Sequence, residues 1–334
     1  MQVDNTPQRV PELWFEDGNI VIQAGNSLFR LFRGILAGTS SVFRDMLSFP
    51  QPPEAELVEG YPLVRLPDAG SEVSVFLRAI FDSNFFKPFP AQTQYPIIQG
   101  CLRLSHKYEV DHLRLRALVH LSSRYRTSLA ERDTCRFQYG FPSRNVSEIV
   151  SWNTDAMDLG QNIALIQLAR EVEAPWILPH AFYDLCVEVQ SDFADLLREG
   201  ASLGSEDLAR FLRGHHLQTL AGTTVILPSL SNPPYDIEDC KSAAKCRMTR
   251  LAALNALRRE IQEYPTVPLS VWSEEDWRFV PEQPCSTCSS ALEEALRDAW
   301  KNFWDGLPEM YGLPSWAELE RMRVAALGVH WWRS

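Results

Sequence analysis

The stretch Asp17–Phe49, DGNIVIQAGNSLFRLFRGILAGTSSVFRDMLSF, decides the fold because it contains two different hydrophobic periods. In the first period, apolar side chains alternate with polar ones around an Ala-Gly-Asn turn, at Ile20, Ile22, Leu28 and Phe32. Alternation around a short turn is the pattern of a half-buried hairpin. In the second, the spacing is helical, at Ile35, Leu36, Val42, Phe43, Met46 and Leu47. Ser40 or Ser41 is placed to cap the second helix. The stretch predicts a strand pair and two short helices, a binding fold without a catalytic motif.

One more strand and three helices are predicted downstream of this stretch. The strand is 62–66 (PLVRL), and Pro67-Asp68 after it is a turn and helix-cap signal. Helices are predicted at 73–81, 96–108 and 113–121, from apolar residues that recur at helical intervals. Together these elements predict an α+β domain over residues 11–128, preceded by a flexible N-terminus at 1–10.

The second half of the chain is predicted to be mainly α-helical. Periodicity lapses and turn residues accumulate between 126 and 145, which places a linker at 129–146 and a helical C-terminal domain at 147–334. Two apolar stripes are the clearest, one from Leu251 to Ile261 and one from Leu292 to Phe303, and both are expected to face a core. The segment Leu227–Tyr235 contains two adjacent prolines and is predicted to be a loop.

The opening block resembles the BTB/POZ domain. In that family an Asp opens the first strand, a basic residue closes the second, and a run of the form hydrophobic-Leu-Ala-x-x-Ser-x-x-Phe-x-x-Met forms two helices. The matching residues here are Asp17, Arg33, Ile35-Leu36-Ala37, Ser40, Phe43 and Met46. The resemblance is closer still to a large fungal group of BTB proteins, through the phrases DGNIV, FRDML, PQPPE and VEGYPLVRLPD, and it covers roughly residues 11–126. Most BTB domains carry a His before the basic residue, where this chain has Phe32.

The resemblance implies a protein-binding function and an interface near the N-terminus. It implies self-association as a homodimer or docking of other proteins, including a cullin-type ubiquitin ligase scaffold for which the chain would be a substrate adaptor. Leu13, Trp14, Phe15 and the helix of Ile35 would form an apolar patch, and Phe32 would make the floor of the groove more apolar. Asp17 and Arg33 would form a charge pair at this surface. The alternative is that Asp17 merely starts a turn with Gly18 and that Arg33 is an exposed strand-end cation.

Length, charge and hydropathy exclude several classes of function. A chain of 334 residues is long enough for two domains. The net charge of -11 disfavours binding to a nucleic-acid backbone, which requires clustered Lys and Arg. The basic residues sit at helical intervals and are interpreted as solvated faces, among them Arg114, Arg116, Arg124, Arg126, Arg247, Arg250, Arg258 and Arg259. Apolar runs fall far short of the ~20 residues that span a bilayer, and the first ten residues lack the features of a secretory signal. We therefore expect a soluble protein of the cytosol or nucleus, with its seven Cys reduced.

The sharpest chemical constellation is formed by Cys240 and Cys246 with Cys285 and Cys288. A Cys-x2-Cys pair can chelate one metal ion from a single turn, and a second pair can complete a tetrahedral thiolate set. The Cys240-x5-Cys246 spacing is wider than usual, and 38 residues separate the two pairs. Two interpretations stay open: one structural zinc ion that joins the Leu251 helix to the Leu292 helix, or four unligated thiols in or near the core.

Catalytic motifs are missing from the sequence. There is no HExxH, GxSxG, Walker loop or GxGxxG after a strand, so we expect neither an enzyme nor a small-molecule substrate. The alternatives are a transcription co-regulator or scaffold, and an enzyme in the second half that holds zinc through three of the four Cys with water in the fourth position.

Overall fold

The N-terminal sheet forms because short runs of β-branched and aromatic residues are separated by tight turns. The computed structural model describes residues 6–49, 56–134, 150–152, 157–189, 196, 203–231, 237–270, 280 and 282–328. The strands are β1 (Gln8–Trp14), β2 (Ile20–Ala24), β3 (Ser27–Leu31), β4 (Leu57–Val58) and β5 (Tyr61–Leu66). Within the described residues they form one five-stranded sheet in the order β1-β3-β2-β5-β4. Strands β2 and β3 are the predicted antiparallel hairpin, and β2 also pairs parallel to β5.

The register of this hairpin corrects the predicted core face of its second strand. Ile20 lies opposite Leu31 and Ile22 lies opposite Phe29, so Phe29 and Leu31 share the core face with the two isoleucines. Leu28 therefore points to the other face of the sheet. Phe32 lies beyond the strand, as the residue that precedes the first helix. The prediction of Leu28 on the core face was wrong because residues Leu28–Leu31 of β3 are all buried, so apolar character does not distinguish the two faces of this strand.

The N-terminal part also contains the five predicted helices, of which the third contacts β1 and β2 of the sheet. The first two are α1 (Arg33–Thr39) and α2 (Ser41–Ser48), and Ser40 is the cap of α2 because its hydroxyl accepts the Phe43 N–H at 3.0 Å. The others are α3 (Gly70–Phe81), α4 (Tyr95–Lys107) and α5 (Asp111–Ser122). These bounds confirm the predicted helices to within a few residues. The N-terminal part is thus mixed α and β, as expected.

The remaining described elements are helical. They are α6 (Leu129–Thr134), α7 (Leu159–Glu171), a 3-10 turn (Pro175–Ile177), α8 (Leu178–Val189), α9 (Ser205–Ala221), a π-helical segment (Gly222–Ile226), α10 (Leu227–Ser231), α11 (Ala243–Glu263), α12 (Ser286–Met310) and α13 (Trp316–Leu327). The structure corrects two predicted loops. Helix α6 occupies the start of the predicted linker at 129–146, and α10 occupies the start of the predicted loop at 227–235. The rest of both segments lies outside the described residues, apart from Ser231 at the end of α10.

Two hydrophobic clusters divide the buried residues. The larger one runs without interruption from the sheet to α13 and contains buried aromatic side chains from both halves, for example Phe76 and Trp304. The smaller one has nine buried residues: Ile226, Leu230, Ala253, Leu257, Ile261, Val280, Leu292, Leu296 and Ala299. The domain limits at 128 and 147 stay predictions, but the larger core crosses them. In the described part of the chain, no helix combines the length and apolar composition that crossing a membrane requires.

Candidate metal centre

Two helix starts and one turn bring the four predicted cysteines together. Cys246 lies in the first turn of α11 and Cys288 in the first turn of α12, and both side chains are buried. Cys285 is the residue that caps the start of α12. Cys240 follows a turn that Asp239 makes possible by adopting φ +63°, a conformation that Asp tolerates better than most residues. The smaller hydrophobic cluster contains residues of α10, α11 and α12, and α10 contacts both of the longer helices, which holds the two helix starts in one region.

The distances among the four sulfur atoms match a single four-coordinate ion. All four Sγ atoms lie within 4.8 Å of one another. The Cys240–Cys288 separation is 3.4 Å and the Cys240–Cys285 separation is 4.0 Å. A tetrahedral zinc site with Zn–S bonds of about 2.3 Å has S–S edges of about 3.8 Å. The cluster has the size that such a site requires, so these four cysteines could hold a metal ion.

Backbone amides already favour the thiolate form at one corner of the cluster. The N–H groups of Cys288 and Lys241 lower the pKa of the Cys285 thiol to about 6. Burial has the opposite effect on Cys246 and Cys288, whose pKa values it raises. The Cys285 N–H also donates to the Cys246 sulfur at 3.3 Å. Four thiolates this close together repel one another, and a bound cation would offset that repulsion.

A cavity of about 240 Å³ borders the cysteines and is lined in part by Arg247 and Arg250. Arg250 is 8% exposed, and its guanidinium donates to the carbonyl oxygens of Leu230 and Ser231. The expectation that this arginine lies on a solvated face is therefore wrong. Its buried guanidinium satisfies the C-terminal carbonyls of α10, which a helix end leaves without intrahelical donors. Arg250 thereby fixes α10 beside the cysteine cluster.

The site is chemically closed. Four thiol ligands for one ion leave no position for substrate or an activated water, which is the arrangement of structural zinc and not of catalytic zinc. Its consequence is mechanical, because the ion would join the turn before α11 and the starts of two helices that are far apart in sequence. Cys101 and Cys186 are buried elsewhere and lie outside the cluster, as expected for core thiols.

The N-terminal interface residues occupy three different environments. Leu13 is 1% exposed and belongs to the larger core, so it cannot form part of a surface patch. Its position in β1 turns it toward the sheet interior. Trp14 is half-buried, with the Arg9 guanidinium 4.6 Å from its ring. Ile35 on α1 is 45% exposed. Two of these three predicted residues therefore remain accessible to a partner.

Phe15 and Phe32 meet at the surface, together with Phe81 at the end of α3. Phe81 was predicted as part of a helix but not as part of the interface. The Phe15 ring lies 5.2 Å from that of Phe32 and 5.6 Å from that of Phe81, and all three are half-buried. Phe32 and Ile35 belong to the same turn, since the Ile35 N–H donates to the Phe32 carbonyl. The apolar groove floor expected at Phe32 is thus part of a small aromatic cluster beside an exposed Ile35.

Within the described chain Arg33 bonds to groups other than Asp17, so the charge pair at the interface stays a prediction. The Arg33 guanidinium donates to the Leu47 carbonyl, which ties α1 to the end of α2. Its backbone N–H donates to the Asn19 side chain at 2.8 Å, and Arg33 begins a helix and does not end a strand. Asp17 is exposed in the turn that precedes β2, as the alternative interpretation held. Helix entry, rather than charge pairing, therefore fixes the position of Arg33.

A buried polar group in the larger core was not anticipated from the sequence. His180 and Asp184 on α8 lie 3.6 Å apart, and Arg124 approaches Asp184 at 3.8 Å. Burial lowers the pKa of His180 well below its ordinary value and raises the pKa of Asp184. Arg126, expected on a solvated face, is 3% exposed. The i, i+4 spacing of His180 and Asp184 was the available sequence signal.

Comparisons of the chain with protein-family models, with curated proteins and with solved structures found no match. The functional conclusions below therefore depend on the site geometry and on the sequence resemblance.

Proposed function

We propose that this chain is a non-catalytic protein-binding scaffold. In this proposal its N-terminal part is a BTB/POZ-like domain that self-associates or docks a partner, and its helical part recognises a client protein. The observation that carries the proposal is the partly exposed aromatic cluster of Phe15, Phe32 and Phe81 beside the exposed Ile35. Contiguous apolar surface that folding leaves accessible is typical of protein–protein interfaces. Phe15, Phe32 and Ile35 are three of the residues that the resemblance assigns to the interface.

Sedimentation of two matched variants tests the proposed self-association. Ile35→Asp places a charge in the apolar patch and is expected to shift the protein from dimer to monomer, because an unpaired charge is costly in a buried interface. Trp14→Asp is expected to act in the same direction. Leu115→Asp is the control, since Leu115 is 46% exposed against 45% for Ile35 and lies on α5. A dimer that persists in Ile35→Asp would show that the assigned interface is wrong.

We further propose that Cys240, Cys246, Cys285 and Cys288 hold one structural zinc ion. Tetrahedral all-sulfur sites favour zinc or iron–sulfur chemistry over harder ions, and a closed zinc site contributes to folding. Elemental analysis of the purified full-length protein is expected to give one zinc per chain. The double variant Cys285→Ser/Cys288→Ser is expected to lose it, whereas Cys101→Ala is expected to retain it. Equal zinc content in both variants would exclude this site.

The cullin scaffold is the partner class that the resemblance supplies. Affinity capture of the tagged full-length chain, followed by mass spectrometry of the retained proteins, tests it. Retention of a cullin that is lost with an N-terminal interface variant would support a ubiquitin ligase adaptor. Self-association with retained chromatin proteins and no cullin would instead favour the co-regulator alternative. A location in the cytosol or nucleus stays a prediction.

The closed sulfur geometry supports the structural role over the zinc-enzyme alternative. An enzyme needs an open coordination position, which three cysteines and a water would provide. Here the fourth sulfur lies within 4.8 Å of the other three. X-ray absorption spectroscopy of the zinc-loaded protein is expected to give four sulfur neighbours, and a spectrum with three sulfurs and one oxygen would reopen the enzyme alternative.

A further inference from the structure

The exposed side of α11 has the form of a helix-packing seam. Ala244, Met248, Leu251 and Asn255 follow one another at spacings of four, three and four residues, which places them in one line along the helix. Met248 is 66% exposed and Leu251 is 53% exposed, although Leu251 was expected to face the core. The core side of the helix is formed instead by Ala253, Leu257 and Ile261. Small and apolar residues at this spacing can accept a packed helix, because they lie along one line of the helix surface.

Exposed positive charge flanks this seam. Between Lys241 and Arg259 the sequence has six basic residues and no Asp or Glu, in a chain whose net charge is -11. The exposed members beside the seam are Lys245, Arg247, Arg258 and Arg259. Helix geometry places Arg247 and Arg258 on one side of the line, and Lys245 and Arg259 on the other. None of these four forms an ion pair with the residues that the structure describes.

Several basic residues on other helices, unlike these four, pair with a carboxylate. Arg170 pairs with Asp207, Arg210 pairs with Glu206, and Lys301 pairs with Asp305. Nor does the metal site account for the whole charge of the α11 seam. Arg258 lies twelve residues beyond Cys246, about 18 Å along a helix, which exceeds the Debye length of about 8 Å at physiological ionic strength. Glu260 and Glu263 follow Arg258 and Arg259 on the same helix, but no ion pair joins them to these arginines in the described residues.

We propose that the α11 seam binds an acidic amphipathic helix of a client protein, with apolar side chains against Met248 and Leu251 and carboxylates beside Arg247, Arg258, Lys245 and Arg259. This inference deepens the proposed client-binding role of the helical part and rests on it. Charge complementarity selects the occupant, because like charges across an interface are costly. For the same reason the occupant is not a second copy of the seam, which would place basic side chains against basic side chains.

An extended polyanion fits this surface less well than a helix does. Membranes and nucleic acids present charge over distances larger than one helix face, so they also meet the field of a chain with net charge -11. Basic helices that insert into membranes carry a wide apolar face rich in Trp, Phe and Leu. The seam has two large apolar side chains and two small residues, Ala244 and Asn255, which let a single helix approach closely.

The test measures binding of a synthetic probe to the zinc-loaded full-length protein. The probe is a fluorescent helical peptide matched to the 21 residues of α11, with Leu along one seam and Glu at the flanking positions. A second peptide carries Lys in place of Glu. Fluorescence anisotropy is expected to show binding of the Glu peptide that weakens with added salt, and at least about tenfold weaker binding of the Lys peptide.

Variants of matched charge locate the binding surface. Arg258→Glu/Arg259→Glu and the single variant Met248→Asp are each expected to weaken binding of the Glu peptide by about tenfold or more. The control Arg297→Glu/Arg321→Glu makes the same change in net charge on exposed residues of α12 and α13, and is expected to leave affinity within about twofold. Zinc content and circular dichroism check that every variant keeps its fold and metal.

Three results would overturn the inference. The first is equal affinity for the Glu and Lys peptides, or equal loss in the α11 and control variants. The second is weak peptide binding combined with retention on phosphatidylserine vesicles or duplex DNA that Arg258→Glu/Arg259→Glu abolishes, since the seam would then serve a polyanion. The third is self-association that this double variant abolishes. Sedimentation of Ile35→Asp remains a separate measurement, so failure of the seam is distinguishable from failure of the proposed N-terminal interface.

Discussion

The larger core and the cysteine corner achieve order by different means. The larger core runs from the sheet to α13 and buries many aromatic rings, including Phe43, Phe76, Trp176 and Trp304. The cysteine corner, which is built around α10, α11 and the first half of α12, has a hydrophobic cluster of nine buried residues, all aliphatic. Burial of apolar surface is the main source of stability in the first region. In the second, less apolar burial is available, and four clustered thiols occupy the place where the helices meet. The comparison predicts that the corner depends on the proposed zinc ion.

Removing the metal is the largest expected effect and tests this comparison directly. Cys285→Ser/Cys288→Ser, or chelation of the native protein, is expected to abolish hydrogen-exchange protection in α11 and at the start of α12, because structural zinc contributes about 10–16 kcal/mol in small domains. Protection in α4 and α5 is expected to persist. Cys101→Ala is the control for loss of a buried thiol. Uniform protection after chelation would show that the nine aliphatic residues suffice without metal.

A substitution in the larger core is expected to destabilise that region and to leave the metal site intact. Phe43 is fully buried and its ring stacks on that of Tyr108 at 4.6 Å. Phe43→Ala is expected to lower the free energy of unfolding by about 3–5 kcal/mol through lost burial and the cavity that remains. Zinc content should stay at one per chain. Urea denaturation followed by elemental analysis measures both, and a loss of zinc in this variant would link the two regions.

The buried His180 is expected to make the larger core sensitive to mild acid. Burial, with Arg124 and Arg132 nearby, lowers the pKa of His180 well below the ordinary value of 6.5. The unfolded chain therefore takes up a proton below pH 6.5 that the folded protein does not, so the free energy of unfolding falls as pH drops through that value. The uptake of one proton on unfolding lowers the free energy of unfolding by at most about 1.4 kcal/mol for each pH unit. Asp184 acts in the opposite sense above its ordinary pKa of 3.8, because burial raises its pKa.

The comparison of wild type with His180→Phe isolates this contribution. The variant keeps an aromatic ring against Tyr125 and Trp304, whose centroids lie 5.3 and 5.5 Å from that of His180. Denaturant titrations between about pH 7.5 and 5.5 are expected to show a smaller loss of stability in the variant. Parallel pH profiles for the two proteins would contradict the assignment to His180.

The smallest expected effect concerns α13, which lies late in the sequence but packs on the larger core. Ser315 caps this helix, with Glu318 completing a capping box. Ser315→Ala is expected to cost about 1 kcal/mol of stability. Leu319 and Leu327 on this helix belong to the larger core, so α11 should keep its hydrogen-exchange protection. Loss of protection in α11 instead would contradict the division into two clusters.

Local patterns predicted most of the elements. The hairpin, α3, α4 and α5 follow from alternation and helical spacing, which act over a few residues. The predicted helix-cap signal at Asp68 is wrong, because its carboxylate accepts from Lys107 and Tyr108 and Ala69 is the residue that precedes α3. Predictions failed where contacts between residues far apart in the sequence determine which side chains are buried. Leu251 fits an apolar stripe but is exposed, while Arg250 beside it is buried because α10 supplies two carbonyl acceptors. Leu13 is apolar and near the N-terminus, but β1 turns it into the core.

By itself, the sequence determined the β2–β3 hairpin, β5 and most of the helices, the mixed character of the N-terminal part and the identity of the four cysteines. Those properties depend on residue type and short-range spacing. The tertiary structure alone decided that Cys240 and Cys288 approach to 3.4 Å, that Arg33 enters a helix without pairing with Asp17, and that α11 leaves a basic seam exposed. The physical reason is that a distance between side chains far apart in the chain, or the choice of buried face, depends on how whole helices pack, and no local period encodes that packing.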